Sequence, residues 1–265
     1  MAERRQAKQD RQARIEAMRA KERARQRRVR LAWLGGGGVA FVAVVAVIVA
    51  VAVSGGSSSS SSGGGSAEVM PPGVTGATTT QPAALTVKHT TGIAGVVAYD
   101  TTGWPTTSNN GPASQALGHQ HVTGPVTYSV TPPVGGDHNA TWMNCGVYSQ
   151  PVPNERAVHN LEHGAIWITY SPSLPQSEVS QLRALFARQT VLNPSGAGGS
   201  RYVDLTPYPG LPSPIVATSW GFQLRLTSPS DPRLQQFIDK FRVVQQYSPE
   251  YGAPCTGGVG TPLQQ

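Results

Sequence analysis

The sequence has few charged residues over most of its length. Of its 21 lysines and arginines, twelve lie in residues 1–30 beside four acidic residues, so this segment carries a formal charge of +8. The other 235 residues hold 9 basic and 10 acidic side chains and are nearly neutral. Because binding to nucleic acid needs a surplus of basic residues against the phosphates, no nucleic-acid partner is expected for the main part of the chain.

Several catalytic motifs are absent as well. The sequence contains no G-x-S-x-G, no P-loop, no G-x-G-x-x-G after a predicted strand, no CxxC and no CxxCH. The first proline is residue 71, and all 22 prolines lie between this residue and residue 265. This distribution excludes a helical bundle for the C-terminal part and indicates a domain rich in loops.

A long apolar run follows the basic segment. Residues 31–53 contain no charged side chain, and a helix of this length spans about 35 Å, enough to cross the ~30 Å core of a bilayer. A cleaved signal peptide is the alternative, since Ala50-Val51-Ala52 resembles a cleavage site, but its apolar region is usually only ~7–15 residues long. We therefore expect a single-pass protein of the cell membrane, with residues 1–30 in the cytoplasm and the C-terminal domain outside it.

The segment after the predicted transmembrane helix has the composition of a tether. Residues 54–66 are all serine or glycine, and proline, threonine, glycine and alanine dominate up to about residue 84. Such sequences bury too little apolar surface to fold. We assign residues 54–85 to a disordered linker and residues 86–265 to one extracytoplasmic domain.

The domain shows an α+β pattern of elements. Short runs of β-branched and aromatic residues predict strands at residues 126–130, 165–170, 202–205, 215–220 and 222–227. Apolar residues at helical spacing predict helices at residues 177–188 and 232–246, the second capped by Asp231. We expect a small, mostly antiparallel sheet with two helices packed against one face.

The two cysteines, Cys145 and Cys255, both follow the predicted membrane span. Outside the cytoplasm two cysteines most often form a disulfide, which here ties the middle of the domain to its C-terminal tail. The alternative is that Cys145, close to Met143, acts as a thiolate ligand of a metal ion.

Five of the six histidines fall within 45 residues: His119, His121, His138, His159 and His163. His119 and His121 point the same way only if their segment is extended; otherwise they are exposed loop residues. His159 and His163 share a face if they lie on a helix, where they can bind one ion.

The spacing H-x-x-E-H at residues 159–163 also matches a zinc-peptidase signature in which Glu162 acts as general base. Prolines closely precede the motif and Gly164 follows it, so only a short helix fits. The peptidase pattern further requires a carboxylate ligand downstream. Asp231, Asp239 and Glu250 are available, but nothing in the sequence marks one of them.

His138 follows a Pro-Pro-Val-Gly-Gly-Asp segment that can bring it toward His159 and His163. The sequence therefore predicts a metal site formed by His138, His159 and His163, with Glu162, Met143, His119 and His121 as additional candidates. Histidine with methionine suits copper, whereas histidine with glutamate suits zinc. Copper and zinc both remain open as the cofactor.

Several motifs resemble the bacterial domain of unknown function 3105 family. They are PPVGGDH at residues 132–138, NCGVY at 144–148, PVPNERAVHNLEHGAIWITY at 151–170, LTPYPGLPSPIVATSWG at 205–221 and PEYGAPC at 249–255. The similarity covers roughly residues 119–255, and Gly135-Gly136-Asp137 replaces the Ser-Gly that is usual before the histidine. The resemblance implies a common fold and a common polar site. It also implies the same organisation: a basic N-terminal segment, a single transmembrane helix, a linker and an extracytoplasmic domain. It implies no reaction.

Three functions fit these observations. The first is a membrane-anchored domain that binds a transition metal and delivers it to, or scavenges it for, a membrane complex. The second is a non-catalytic interaction module, an accessory subunit of an envelope complex whose histidines are structural. The third is a zinc-dependent hydrolase that uses Glu162 as its base.

Overall fold

The computed structural model describes residues 67–101, 116–196 and 198–265. The predicted basic segment, the membrane span and the Ser/Gly tether, at residues 1–66, lie outside the described residues. Among the residues that are described, no helix is long and apolar enough to cross a membrane.

These residues form three helices, α1 (Asn154–Glu162), α2 (Gln176–Arg188) and α3 (Pro232–Phe241). They also form ten strands, β1 (Thr79–Thr80), β2 (Thr86–Val87), β3 (Val96–Tyr99), β4 (His121–Val122), β5 (Val126–Thr127), β6 (His138–Asn139), β7 (Ile166–Tyr170), β8 (Val203–Pro207), β9 (Ile215–Ser219) and β10 (Phe222–Leu226).

Six of the strands form one mixed sheet in the order β2-β3-β10-β9-β7-β8. Only the β7–β8 pair is parallel, and the other neighbours in this sheet are antiparallel. Two small parallel pairs, β1 with β5 and β4 with β6, lie outside it. The predicted α+β class and mostly antiparallel sheet are confirmed.

Strand β7 explains how the helices are arranged around the sheet. All five of its residues are buried, and successive side chains point to opposite faces. Ile166 and Ile168 pack in a core with apolar residues of α2 and α3, whereas Trp167 packs in a second core with residues of α1. The sheet therefore has helices on both faces: the two predicted helices, α2 and α3, share one face, and α1 packs on the other.

The unpredicted helix, α1, is short because of the residues at its two ends. Pro153 stands at its N-cap with φ −60° and ψ 126°, a position where a missing N–H costs nothing. Gly164 follows its last turn at φ +97°, where a β-carbon would lie 2.6 Å from the hydroxyl oxygen of Ser248. The prolines that limited the prediction to a short helix thus precede its start, and the polar residues of the motif occupy its last turn.

Helix α3 is capped as predicted but ends five residues early. The carboxylate of Asp231 accepts a hydrogen bond of 2.9 Å from the backbone N–H of Arg233. After Phe241 the chain leaves the helix, with Val243 at φ +50°. The N–H of Val243 donates to the carbonyl of Gly164 at 2.8 Å, so a contact between distant segments replaces the helical hydrogen bond.

The strand predictions match the structure less well in the first half of the domain. Strand β3 was not predicted, and the predicted strand at residues 126–130 is reduced to β5. Residues upstream of the predicted domain start also contact the domain, since Val69 pairs with Thr261 and Glu68 accepts a hydrogen bond of 2.7 Å from the N–H of Ser149.

Candidate metal centre

Two short strands and one helix bring the histidine cluster together. In the β4–β6 pair, His121 is the register partner of His138, which brings their ring centroids within 5.0 Å. Helix α1 packs against β6 and places His159 4.9 Å from the ring of His138 and 4.5 Å from that of His163. The extended conformation that the His119-Gln-His121 segment required is present at His121.

The ring orientation of three histidines is fixed by backbone carbonyls. The Nδ1 atoms of His138, His159 and His163 lie 2.8, 2.6 and 2.8 Å from the carbonyl oxygens of Gly136, Asn139 and Pro254, respectively. A carbonyl oxygen only accepts hydrogen bonds, so Nδ1 carries the proton in each ring. In the neutral form the lone pair is then on Nε2. Histidine ligands of metal ions show the same arrangement.

Glu162 lies between two of the histidines. Its Oε2 is 2.9 Å from Nε2 of His138, and its Oε1 is 3.3 Å from Nδ1 of His119. The side chain of Glu162 is only 2% exposed and that of His138 is fully buried, whereas His119 is partly open to solvent. A carboxylate is therefore held against an imidazole nitrogen with almost no water around it.

The contact between His138 and Glu162 is close without being a hydrogen bond. Nε2 of His138 has no hydrogen-bond partner within the described part of the chain, because its lone-pair direction is misaligned with the carboxylate oxygen that lies 2.9 Å away. Two electron-rich atoms so close and so dry repel one another unless a cation balances them. Ligand atoms of one tetrahedral zinc ion, each about 2.0–2.2 Å from the metal, lie about 3.3–3.6 Å apart, so the 2.9 Å between Nε2 of His138 and Oε2 of Glu162 widens by about half an ångström when an ion binds.

One ligand atom from each of four residues falls within a small space: His121, His138, His159 and Glu162 have such atoms within 4.8 Å of one another. Burial, followed by the neighbouring His163, lowers the pKa of His159 to about 3. His159 is therefore neutral at every ordinary pH, and neutral imidazole is the form that binds metal.

A second group adjoins the first and has His159 in common with it. His159, His163 and Glu250 also have ligand atoms within 4.8 Å of one another, and Oε2 of Glu250 lies 3.4 Å from Nε2 of His163. The adjacent His163 lowers the pKa of Glu250 to about 2, so this residue is a carboxylate throughout the physiological range. Its side chain is 48% exposed, in contrast to that of Glu162.

Most of the residues that the sequence singled out come together here. The cluster contains His119, His121, His138, His159, His163 and Glu162. Met143 is buried in the apolar cluster that includes Tyr148 and Trp167, and its role as a ligand stays a prediction. Cys145 and Cys255 form the predicted disulfide, with Cα atoms 5.4 Å apart. The thiolate alternative for Cys145 is therefore wrong.

The sequence named Glu250 only as one of three candidate carboxylates and did not identify Trp142. Of the three downstream carboxylates, Asp231 caps α3 and Asp239 accepts a hydrogen bond from Gln235. Glu250 reaches the site because its backbone N–H donates to the carbonyl of Glu162 at 3.0 Å. The ring of Trp142 lies 5.7 Å from that of His159 and 5.3 Å from that of His163. The proximity of Glu250 to Cys255 in the sequence was the available signal.

A comparison with protein families agrees with the motifs around this site. The family model described as "Protein of unknown function (DUF3105)" matches residues 119–257, about half of the chain, and the match includes every residue of both ligand groups. Neither the curated proteins nor the solved structures include a match to this chain. The chain therefore belongs to the DUF3105 family of proteins of unknown function.

Proposed function

We propose that the domain binds one divalent transition-metal ion, zinc or copper(II), through His121, His138, His159 and Glu162. The observation that carries this proposal is the buried contact of 2.9 Å between Nε2 of His138 and Oε2 of Glu162, which is not a hydrogen bond. A cation between these atoms removes their repulsion and gives each lone pair a partner. The Nδ1 hydrogen bonds hold the rings ready for this ion, so little reorganisation accompanies binding.

The donor atoms favour a divalent ion. Imidazole and carboxylate suit zinc and copper(II), whereas copper(I) prefers sulfur. The sulfur atom of Cys145 is committed to the disulfide with Cys255. Both zinc and copper(II) use the same donors, and the experiment below separates them by competition.

The location and partner of the domain form part of the same proposal. Residues 31–53 anchor the chain in the cell membrane, and the domain stands on the outer side. The disulfide supports this location, because disulfides persist in oxidising compartments. A metal site on a tethered domain suits capture of an ion and its delivery to a membrane protein partner.

The alternative is an interaction module in which the cluster is structural. His138 then carries two protons and forms an ion pair with Glu162, and no metal binds. A hydrolase is less well supported by the geometry. A general base must face a bound water, but both oxygens of Glu162 contact histidines, at 2.9 and 3.3 Å.

The test is metal analysis of the full chain purified in detergent. The protein is stripped with a chelator, incubated with zinc or copper(II), separated from free ion and analysed by mass spectrometry. We expect about one equivalent per chain, and equimolar competition identifies the preferred ion. His138→Asn should abolish binding, because it removes the most buried nitrogen ligand.

The matched control is His89→Asn. His89 lies outside both ligand groups and packs against the rings of Phe222 and Tyr247, so this variant should keep the full equivalent. If the parent chain takes up neither ion, the metal proposal is overturned in favour of the structural alternative.

A further inference from the structure

The two ligand groups have one residue in common, and this limits how they can be used together. His159 belongs to both groups, but its Nδ1 is occupied by the hydrogen bond of 2.6 Å to the carbonyl of Asn139. Only Nε2 is free to bind a metal, and one lone pair serves one ion at a time. The groups therefore offer two alternative positions for one ion.

The two positions differ in their contact with solvent. We call the group that contains Glu162 the inner position and the group that contains Glu250 the outer position. The side chain of Glu162 is 2% exposed, whereas that of Glu250 is 48% exposed. An incoming ion or an ion acceptor can reach Glu250 directly. The inner carboxylate is reached only past the histidines around it, of which His121 is itself exposed.

The outer position is held in place although its carboxylate is exposed. The N–H of Glu250 donates to the carbonyl of Glu162 at 3.0 Å, and the N–H of Gly252 donates to that of His163 at 3.2 Å. Pro254, whose carbonyl accepts the hydrogen bond from His163, directly precedes Cys255 of the disulfide. The C-terminal tail is thus fastened to the end of α1, within reach of the ligands that α1 supplies.

We propose that His163 and Glu250 form a transfer position, through which the bound ion leaves the inner site for an external acceptor while His159 stays attached to it. The inference rests on the proposed function, because it needs an ion at the inner site. During transfer, the bonds from the metal to His163 and Glu250 form as those to His121, His138 and Glu162 break. The step changes no oxidation state, and any proton on Nε2 of His163 goes to solvent.

The test measures how fast the full chain, in detergent and loaded with one equivalent of zinc, releases the ion to excess EDTA in a stopped-flow instrument. Glu250→Gln keeps the shape of the side chain and removes its charge, and Glu178→Gln on the distant helix α2 is the control. We expect Glu250→Gln to bind one equivalent as the parent does but to release it about ten times more slowly. His163→Gln should behave in the same way, and Glu178→Gln should release zinc at the parent rate.

The outcomes separate the two proposals. A parent chain that binds no zinc overturns the proposed function itself. If the parent binds zinc and Glu250→Gln releases it at the parent rate, the inner site exchanges directly with solvent and the transfer position is refuted. If Glu250→Gln no longer holds zinc at equilibrium, Glu250 is a permanent ligand of a single site, which also refutes a separate position.

Discussion

Nε2 of His138 and Oε2 of Glu162 lie 2.9 Å apart, both on buried side chains, and neither atom donates a hydrogen bond to the other. The proton of His138 is on the opposite side of the ring, on Nδ1, which donates to the carbonyl of Gly136. Such an arrangement is unfavourable in the empty protein and favourable once a cation binds. Destabilised groups of this kind are typical of functional sites.

The first prediction concerns replacement of this carboxylate by its neutral isostere, Glu162→Gln. The neutral amide removes the repulsion between the buried carboxylate and the lone pair of His138, so the metal-free variant should be more stable than the metal-free parent by about 1 kcal/mol. Metal affinity should fall by about 100-fold, because the anionic ligand is lost. Urea unfolding with a chelator present and zinc titration measure the two effects.

Glu155→Gln is the matched control for this variant, since Glu155 is also a buried carboxylate on α1. Its Oε1 accepts a hydrogen bond of 2.8 Å from the N–H of Val126, which an amide oxygen can also accept. Its metal affinity should stay at the parent value. A loss of stability in metal-free Glu162→Gln would instead indicate that His138 is an imidazolium ion paired with Glu162.

The second prediction concerns Gly136, whose carbonyl orients His138. Gly136 has φ +115°, and a β-carbon there would collide with the side chain of Gln81. Gly136→Ala should therefore displace this carbonyl and lower zinc affinity by about tenfold, a loss typical of changes to the groups that orient a ligand. Isothermal titration calorimetry measures the affinity.

The comparison variant is Gly92→Ala, because Gly92 has φ +79° and no atom within 4 Å of the added carbon. It should cost about 1–2 kcal/mol of stability from backbone strain alone and leave zinc affinity unchanged. Equal affinity in the two alanine variants would show that the Gly136 carbonyl does not set the orientation of His138.

The third prediction concerns the disulfide. Cys145→Ala/Cys255→Ala opens a loop with a sequence separation of 110 and should lower the free energy of unfolding by about 2–4 kcal/mol. It should also loosen the tail that carries Glu250 and the carbonyl of Pro254. The variant should therefore still bind one zinc ion but release it to EDTA more slowly than the parent. A release rate equal to that of the parent would show that the tail needs no covalent link to hold Glu250 in place.

The parts of the fold and the site that the sequence predicted are those with strong local signals. The apolar run of β7, the spacing of α2 and the Asp231 cap of α3 are local and were predicted from a few neighbouring residues. The density of histidines likewise predicted the histidine cluster that the fold brings together. The early end of α3 was not predictable, because it depends on a hydrogen bond between Val243 and Gly164, which are distant in the sequence.

Glu250 shows the same limit within the site. Apart from its proximity to Cys255, nothing near it in the sequence distinguishes it from Asp231 or Asp239, and only the folded tail brings it to His163. The extent of helix α1 was underestimated because of local signals, not because of distant contacts. Its prolines and glycine are local signals against a helix, but they stand just outside its ends and therefore define its boundaries.

The last prediction concerns the pH dependence of stability and rests on Asp204, which is fully buried beside the disulfide. Burial raises the pKa of Asp204 to about 7, although hydrogen bonds from Asn160 and from the N–H of Gly146 oppose the shift. The folded protein therefore takes up a proton more readily than the unfolded chain between about pH 4 and pH 7. By linkage, the contribution of Asp204 to stability decreases as the pH rises through this window and reaches its minimum above pH 7.

Asp204→Asn should remove this dependence, because an amide does not titrate. Its oxygen can accept from Gly146, and its nitrogen can donate to the side-chain oxygen of Asn160, which has no other partner within the described residues. Relative to the parent, the metal-free variant should gain at most about 3 kcal/mol in free energy of unfolding between pH 5 and pH 8. The control, Asp239→Asn on the exposed side of α3, should give no such gain. If the free energy of unfolding changes by the same amount between pH 5 and pH 8 in the parent and in the variant, Asp204 is ionised throughout this range. Its hydrogen bonds would then outweigh the cost of burying its charge.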